Sequence, residues 1–250
     1  MKNSNDIFSN QSALTFSETA FEKIYLDARQ KESRLYSDEQ VADLPFIDPS
    51  HLHSKEWAVR KRSALRLVKY LDKKRRPLTI LEVGCGNGWL CGMISTLQNT
   101  RVTGSDINNS ELNQAKRVFL NRPNLRFESG DFRNMDLNRK FDVIIFAASI
   151  QYFPIFDSTV TKALTFLNRN GEIHILDSQF YNPDELDKAR QRSYKYYNSI
   201  GNGEMAEHYF HHELISLNRF KHKFLFSPYK FISKLIFKMD PFPWIRITQG

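Results

Sequence analysis

Thr79-Ile80-Leu81-Glu82-Val83-Gly84-Cys85-Gly86-Asn87-Gly88-Trp89-Leu90 is the stretch on which the fold turns. An apolar run ends in a carboxylate, three glycines follow at every second position, and apolar residues then resume with helical character. This order predicts a buried strand, a tight turn and the start of a helix. Glycines suit a turn that takes positive φ, or one that lies against a ligand where a Cβ would otherwise sit. The N–H groups opening the helix point at whatever occupies that turn. A dinucleotide fingerprint, G-x-G-x-x-G, would need glycine at position 89, where Trp89 stands.

Outward from the turn, strands and helices alternate. The strand at 78–83 leads to a helix at about 88–98. Arg101 to Asp106 is a second strand ending on an acid, and Ser110-Glu111 opens a helix to about Leu120. Leu125 to Glu128 is a third strand, running on to Gly130-Asp131. Phe141 to Ala147 is apolar almost throughout, as a central parallel strand should be. A helix at about 157–168 and a fifth strand, Gly171 to Asp177, complete the alternation. Such a pattern implies an α/β fold with right-handed crossovers. With Lys221 to Phe226 as a sixth strand and Phe242 to Ile247 as a last, antiparallel one, the expectation is a Rossmann-like, doubly wound, mostly parallel seven-stranded sheet.

Residues 1–20, rich in Ser, Asn and Thr, read as a mobile tail or a loosely attached cap. Residues 21–44 read as helical, and two prolines in Leu44-Pro45-Phe46-Ile47-Asp48-Pro49 stop them. A helix at about 55–74 carries Trp57, Ala64, Leu65, Val68 and Leu71 on one stripe, with Arg62, Arg66, Lys69 and Lys73 turned to water. Helices are also expected over Pro183 to Ser199 and Glu204 to Leu217. The chain thus divides into a tail and helical cap (1–56), a ligand-binding core (57–180) and covering helices with the final strands of the same domain (181–250).

Glu82, the glycines, Asp106 and Gly130-Asp131 occur in the order of the class I S-adenosylmethionine-dependent methyltransferases, and the resemblance covers about residues 57–180. It is closest to the small-molecule, bacterial-type branch of that family. The resemblance implies that Asp106 holds the ribose hydroxyls of S-adenosylmethionine, beside Ile107. A carboxylate accepts two O–H bonds at once, which suits a vicinal diol. It also implies that Asp131 meets the adenine amino group with the Phe132 backbone beside the ring. Gly84, Cys85, Gly86 and Asn87 would form the loop, Glu82 would orient it or its ligand, and Ala147 and Ala148 would line the methionine part. The implied reaction is transfer of a methyl group to an O, N or C nucleophile. Ser149-Ile150-Gln151-Tyr152 lacks the N/D-P-P-Y/F tetrapeptide found in methyltransferases acting on nucleic-acid bases or protein glutamine. A small-molecule acceptor is therefore expected over RNA. A non-catalytic cofactor-binding module is the alternative from another class.

The net charge of +8 is uneven: nine Lys/Arg face one acid between Trp57 and Pro77. That patch serves either a solvated helix face or an anionic partner. Twenty Phe and ten Tyr suit both core filling and a pocket for an apolar or planar group. Two cysteines, Cys85 and Cys91, give neither a disulfide framework nor a metal site. No apolar run reaches the ~18 residues of a membrane span. Without a signal-peptide core near Met1, a cytoplasmic protein is expected.

The acceptor side is less legible. Tyr152, His208 and His211 are the candidate catalytic groups. His208, His211 and His212 would share a helix face if 204–217 were one helix. His51 and His53 flank a helix start that could close over the cofactor, Arg60 or Arg62 could meet a carboxylate, and Tyr196 and Tyr197 could cover a substrate ring or fill core. Phe231, Ile232, Leu235 and Ile236 opposite Lys230, Lys234 and Lys238 make 228–238 a basic amphipathic helix, suited either to the domain surface or to peripheral membrane contact.

Overall fold

The computed structural model describes residues 18–228 and 240–250. Among the described residues the core is built, in chain order, from α3 (Ser54–Asp72), β1 (Leu78–Val83), α4 (Trp89–Ile94), β2 (Thr100–Asp106), α5 (Asn109–Val118), β3 (Leu125–Ser129), β4 (Phe141–Ala147), α6 (Phe156–Thr165), β5 (Leu167–Leu176) and, beyond an insertion, β8 (Lys221–Phe226) and β9 (Trp244–Thr248). Ahead of them lie α1 (Glu18–Lys31) and α2 (Asp38–Asp43); the insertion holds β6 (Phe180–Tyr181), α7 (Pro183–Ser199) and β7 (His212–Glu213). The seven-stranded sheet runs β3-β2-β1-β4-β5-β9-β8. Pairs β3–β2, β2–β1, β1–β4 and β4–β5 are parallel, while β9 runs antiparallel to both neighbours. The expected architecture is therefore observed, with an additional two-stranded parallel ladder of β6 and β7.

The near-continuous apolar strands are explained by burial on both faces. Successive side chains point to opposite sides of a pleated strand. Leu81, Ile144, Phe146, Ile173 and Ile175 pack with Phe156, Val160 and Ala163 of α6. Ile80, Val143 and Ile145 pack on the other face with Leu67 and Leu71 of α3 and Leu90 and Ile94 of α4. On β5, Glu172 is ringed by donors: the Tyr70 hydroxyl reaches both its oxygens at 3.0 and 2.9 Å, Lys74 lies at 2.8 Å and Arg246 at 3.3 Å. His174 stands 3.2 Å from the same carboxylate and accepts the Trp244 indole N–H at 3.0 Å on Nδ1. That bond leaves the neutral ring's proton on Nε2, facing Glu172.

Several sequence expectations are corrected. The stretch 21–44 is not one helix: Ser33 takes φ +56° and Ser37 opens α2 with a capping box closed by Gln40. Only 89–94 of the expected 88–98 helix forms. On α3, Leu65 is 43% exposed and Leu67 is fully buried, so the buried stripe passes through Leu67. Arg62 and Arg66 are not simply solvated: both pair with the buried Asp240. β5 begins at Leu167, because Leu167 pairs with Phe141 before a bulge carries the register to Glu172.

The helix expected over Glu204–Leu217 is absent. Two 3₁₀ turns, Gly203–His208 and Leu214–Arg219, flank β7 instead. The segment is tied across the loop after β4, where Phe210 N–H donates to Gln151 O at 2.7 Å and His212 Nε2 meets Ile150 O at 3.0 Å. Those bonds demand extended backbone at 210–212. The basic helix expected at 228–238 lies outside the described residues, except for Pro228.

Candidate functional site

A cavity of about 600 Å³ opens at the carboxyl ends of β1, β2 and β4. Open α/β sheets bind ligands there. Its floor is the glycine turn. Gly84 takes φ +71°, and a Cβ on it would lie 2.5 Å from Ser149 Cβ. Ser149 is held in place because its hydroxyl donates to Val83 O at 2.6 Å. Gly86 takes φ +52° and donates its N–H to Asp106 Oδ2 at 2.7 Å, while Asn108 N–H donates to Oδ1 at 2.8 Å. Each oxygen of Asp106 keeps acceptor capacity toward the cavity.

Around that turn the electrostatics are acidic. Glu82 is buried and accepts the Cys91 thiol proton at 2.9 Å. Burial pushes its carboxyl up to about 8, against the pull of the Cys91 contact. Desolvation also raises Asp106, against three backbone N–H bonds. Glu111, from the first turn of α5, reaches back over Gly86 and is pushed up to about 7 by desolvation and by Asp106. Burial holds the Cys85 thiol at about 11, so it is a neutral wall group. Asn87 is buried, and its side-chain oxygen faces the Trp89 N–H at 3.4 Å. Ile107, Ala147 and Ala148 all line the cavity, Ala148 with φ +52°.

At the third-strand side, Asp131 is clasped by Arg133, whose Nε donates at 3.0 and 2.8 Å to its two oxygens. Phe132 turns its ring into the core, edge-on to Phe146, and also lines the cavity.

The roof comes from α1 and the loop after β4. Tyr152 is its hub: its ring meets Tyr25 edge-on at 5.7 Å and Phe21 at 6.2 Å. Arg29 donates to the Tyr152 hydroxyl at 3.2 Å, to Glu32 at 3.0 Å, and stacks 4.6 Å over the Tyr25 ring. His208 packs 5.3 Å from Phe21 at the cavity wall, and desolvation lowers its pKa.

The family model of the methyltransferase domain matches residues 74–224. The chain belongs to the methyltransferase-domain family. Among curated proteins it is similar to the malonyl-[acyl-carrier protein] O-methyltransferase of Halalkalibacterium halodurans, 29% identical over 147 residues, covering 55% of this chain and 54% of that protein. The namesake from Acetivibrio thermocellus is 29% identical over 136 residues, 54% of this chain and 48% of that one. The chain thus spans about half the length of the curated relatives it matches. Among solved structures, magnesium protoporphyrin IX methyltransferase from Synechocystis, with bound SAH, shares the fold at TM-score 0.60 and 13% identity, covering 94% of this chain and all of that one.

In this methyltransferase domain the fold gathers Glu82, Gly84, Cys85, Gly86, Asn87, Asp106, Ile107, Asp131, Phe132, Ala147 and Ala148 at one cavity, joined by Tyr152, His208 and Arg60. The other histidines go elsewhere. His211 bonds Ser193 at 2.9 Å outside the cavity lining, with its pKa lowered to about 4 by burial. His212 is committed to Ile150 O, and His53 to Glu32 O at 2.8 Å. The face of 208, 211 and 212 is dissolved by the extended backbone between them, and no metal-binding cluster forms among the described residues. Tyr197 is core with Ala28 and Met205, and Tyr196 bonds Glu32 at 2.7 Å.

Sequence reasoning did not single out Glu111, Arg29 and Tyr25. The spacing Asn108-x-x-Glu111 reads as a helix start, and Asn108 does cap the Glu111 N–H at 3.1 Å. Arg29 and Tyr25 are one helical turn apart on α1, so they face one side together.

Proposed function

We propose that this chain is an S-adenosylmethionine-dependent methyltransferase acting on a small-molecule acceptor. The observation that carries the reading is the bond from Gly86 N–H to Asp106. It ties the second-strand acid to the glycine turn at the floor of a cavity of about 600 Å³.

The residues fit such a cofactor. The turn forms a cradle that a Cβ on Gly84 would fill. Asp106 would take the ribose hydroxyls, and Asp131 with the Phe132 N–H would meet the adenine edge. The Gly84–Asn87 turn, Glu82, Ala147 and Ala148 would hold the methionine part, with Ile107 against the ring system. When bound, S-adenosylmethionine supplies an electrophilic methyl group and a neutral thioether leaving group.

The protein's own contribution is positional. Phe21, Tyr25, Tyr152 and Phe153 wall the cavity against water and fix an acceptor's approach. His208, kept neutral by desolvation, and the Arg29-held Tyr152 hydroxyl are the groups placed to receive a proton from an O–H or N–H acceptor. A planar or apolar acceptor suits these walls. The malonyl-[acyl-carrier protein] relatives make a carboxylate-bearing acceptor a natural first compound to assay.

Calorimetry with S-adenosylmethionine tests the cofactor. Binding in the wild type and a loss of about tenfold or more in Asp106→Ala are expected, since a charge-assisted hydrogen bond is removed. No heat in the wild type sinks the reading. Labelled cofactor with a metabolite extract, read by mass spectrometry, tests the acceptor; label confined to RNA refutes a small molecule, and no transfer at all favours a binding module.

A further inference from the structure

Glu111 is a cavity group to which the proposed function assigns nothing. Its Oε2 lies 3.1 Å from the point where a Cβ on Gly86 would stand, so its carboxylate rests on the glycine turn. Among the described residues its carboxylate accepts a hydrogen bond from Asn108 Nδ2 at 3.2 Å. Asp106, by contrast, accepts backbone N–H groups on both oxygens. The two carboxylates therefore bracket Gly86. The cation that acts on Glu111, Arg29 on α1, is already engaged by Glu32 and the Tyr152 hydroxyl. The ionisable groups facing Glu111 are Glu22, Tyr25 and Arg29 from α1, Asp106 from the end of β2 and Cys85 from the turn. Acids outnumber cations in that set, and a cationic ligand would restore the balance.

We propose that Glu111 is a positioning residue that reads the charge of the cofactor: set beside Asp106 on the glycine turn, its carboxylate favours S-adenosylmethionine, which carries a sulfonium, over S-adenosylhomocysteine, which does not. The inference rests on the cofactor reading above. Its consequence is a site that holds the reactant and lets go of the product without any change in the contacts to ribose or adenine. The preference is also proton-linked. Desolvation and the neighbouring Asp106 push the Glu111 carboxyl up to about 7, so its ionised fraction rises between pH 6 and pH 8. Glu82, at about 8, titrates in the same cavity but is common to the wild type and a Glu111 variant.

The test measures the affinity of both ligands by calorimetry at pH 6 and pH 8. In the wild type the preference for S-adenosylmethionine should grow with pH. Glu111→Gln, which keeps the Asn108 contact, should lower that preference about tenfold at pH 8 and leave S-adenosylhomocysteine affinity within about twofold, as expected of one charge acting over a few ångströms. Glu111→Asp should retain part of the preference. A Glu111→Gln protein that keeps the wild-type preference at pH 8 overturns the proposal. So does equal weakening of both ligands in Glu111→Gln, which would be the mark of a structural role. Wild-type protein that binds neither ligand overturns this inference and the cofactor reading together.

Discussion

At the scale of single residues, Gly84 is the position least open to change. Its φ of +71° already disfavours an L side chain, and the 2.5 Å approach to Ser149 Cβ leaves no room for one. Ser149 cannot step back without releasing Val83 O, which is buried at the end of β1. Gly84→Ala combines backbone strain with overpacking, each costing about 1–3 kcal/mol. A loss of about 3 kcal/mol in chemical denaturation is expected. Gly84→Ala combined with Ser149→Gly should recover only the steric share. A near-neutral single variant would mean that the turn rearranges freely.

Elements show where polar chemistry has been placed for stability. Glu172 on β5 fastens the end of α3, through Tyr70 and through Lys74 just beyond it, to β9, through Arg246. Although burial alone would raise it, the His174 and Lys74 contacts hold its carboxyl down at about 2. Because the folded value lies below the ordinary one near 4.5, the stabilisation is present above that pH and fades as pH falls toward 2. Glu172→Gln should be less stable by about 2 kcal/mol at pH 7, since charge-assisted bonds to a buried group are lost. The gap from wild type should narrow at pH 3; a gap that is constant with pH would show that packing, not charge, is responsible.

Elements also separate what could be read from the chain from what could not. β1, β2, β4 and the glycine turn were legible because their signals are local: an apolar run, an acid at its end, glycines where a Cβ cannot fit. Asp106 and Asp131 were legible for the same reason, lying at strand ends. The 204–217 segment was misread because its conformation is dictated by Gln151 and Ile150, some sixty residues earlier in the chain. Local helical preference loses to such long-range bonds. Leu65 was misplaced because each residue turns a helix by about 100°: Leu67 continues the buried stripe of Ala64 and Leu71, while Leu65 stands one step off Ala64. Arg29 and Tyr25 reach the cavity only because α1 folds back over it, which no local spacing encodes.

Across the whole molecule, the cap and the insertion form one body over the cavity. Asn202 Nδ2 donates to Ile24 O at 2.8 Å, and Lys31 donates to Gly201 O at 2.7 Å. Ala28, Tyr197 and Met205 give that body a small core of its own, with Tyr152 packed against it. The sheet beneath depends on β9, which lies between β5 and β8. Removing residues 241–250 should therefore strip both neighbours of their partner. The expected outcome is loss of a single cooperative melting transition, with aggregation from the exposed edge of β5. A truncated protein that melts like the full chain would show that β9 is dispensable.

The place of β9 also sets a clock for biosynthesis. On the ribosome, the strands through β5 and then β8 emerge before the strand that joins them. A chain made at about 5–20 residues per second leaves the edge of β5 open for several seconds at the least. The nascent protein spends that interval with the edge of β5 uncovered. Synthesis rate and chaperone supply, rather than the chemistry of the cavity, then govern how much of it reaches the finished sheet.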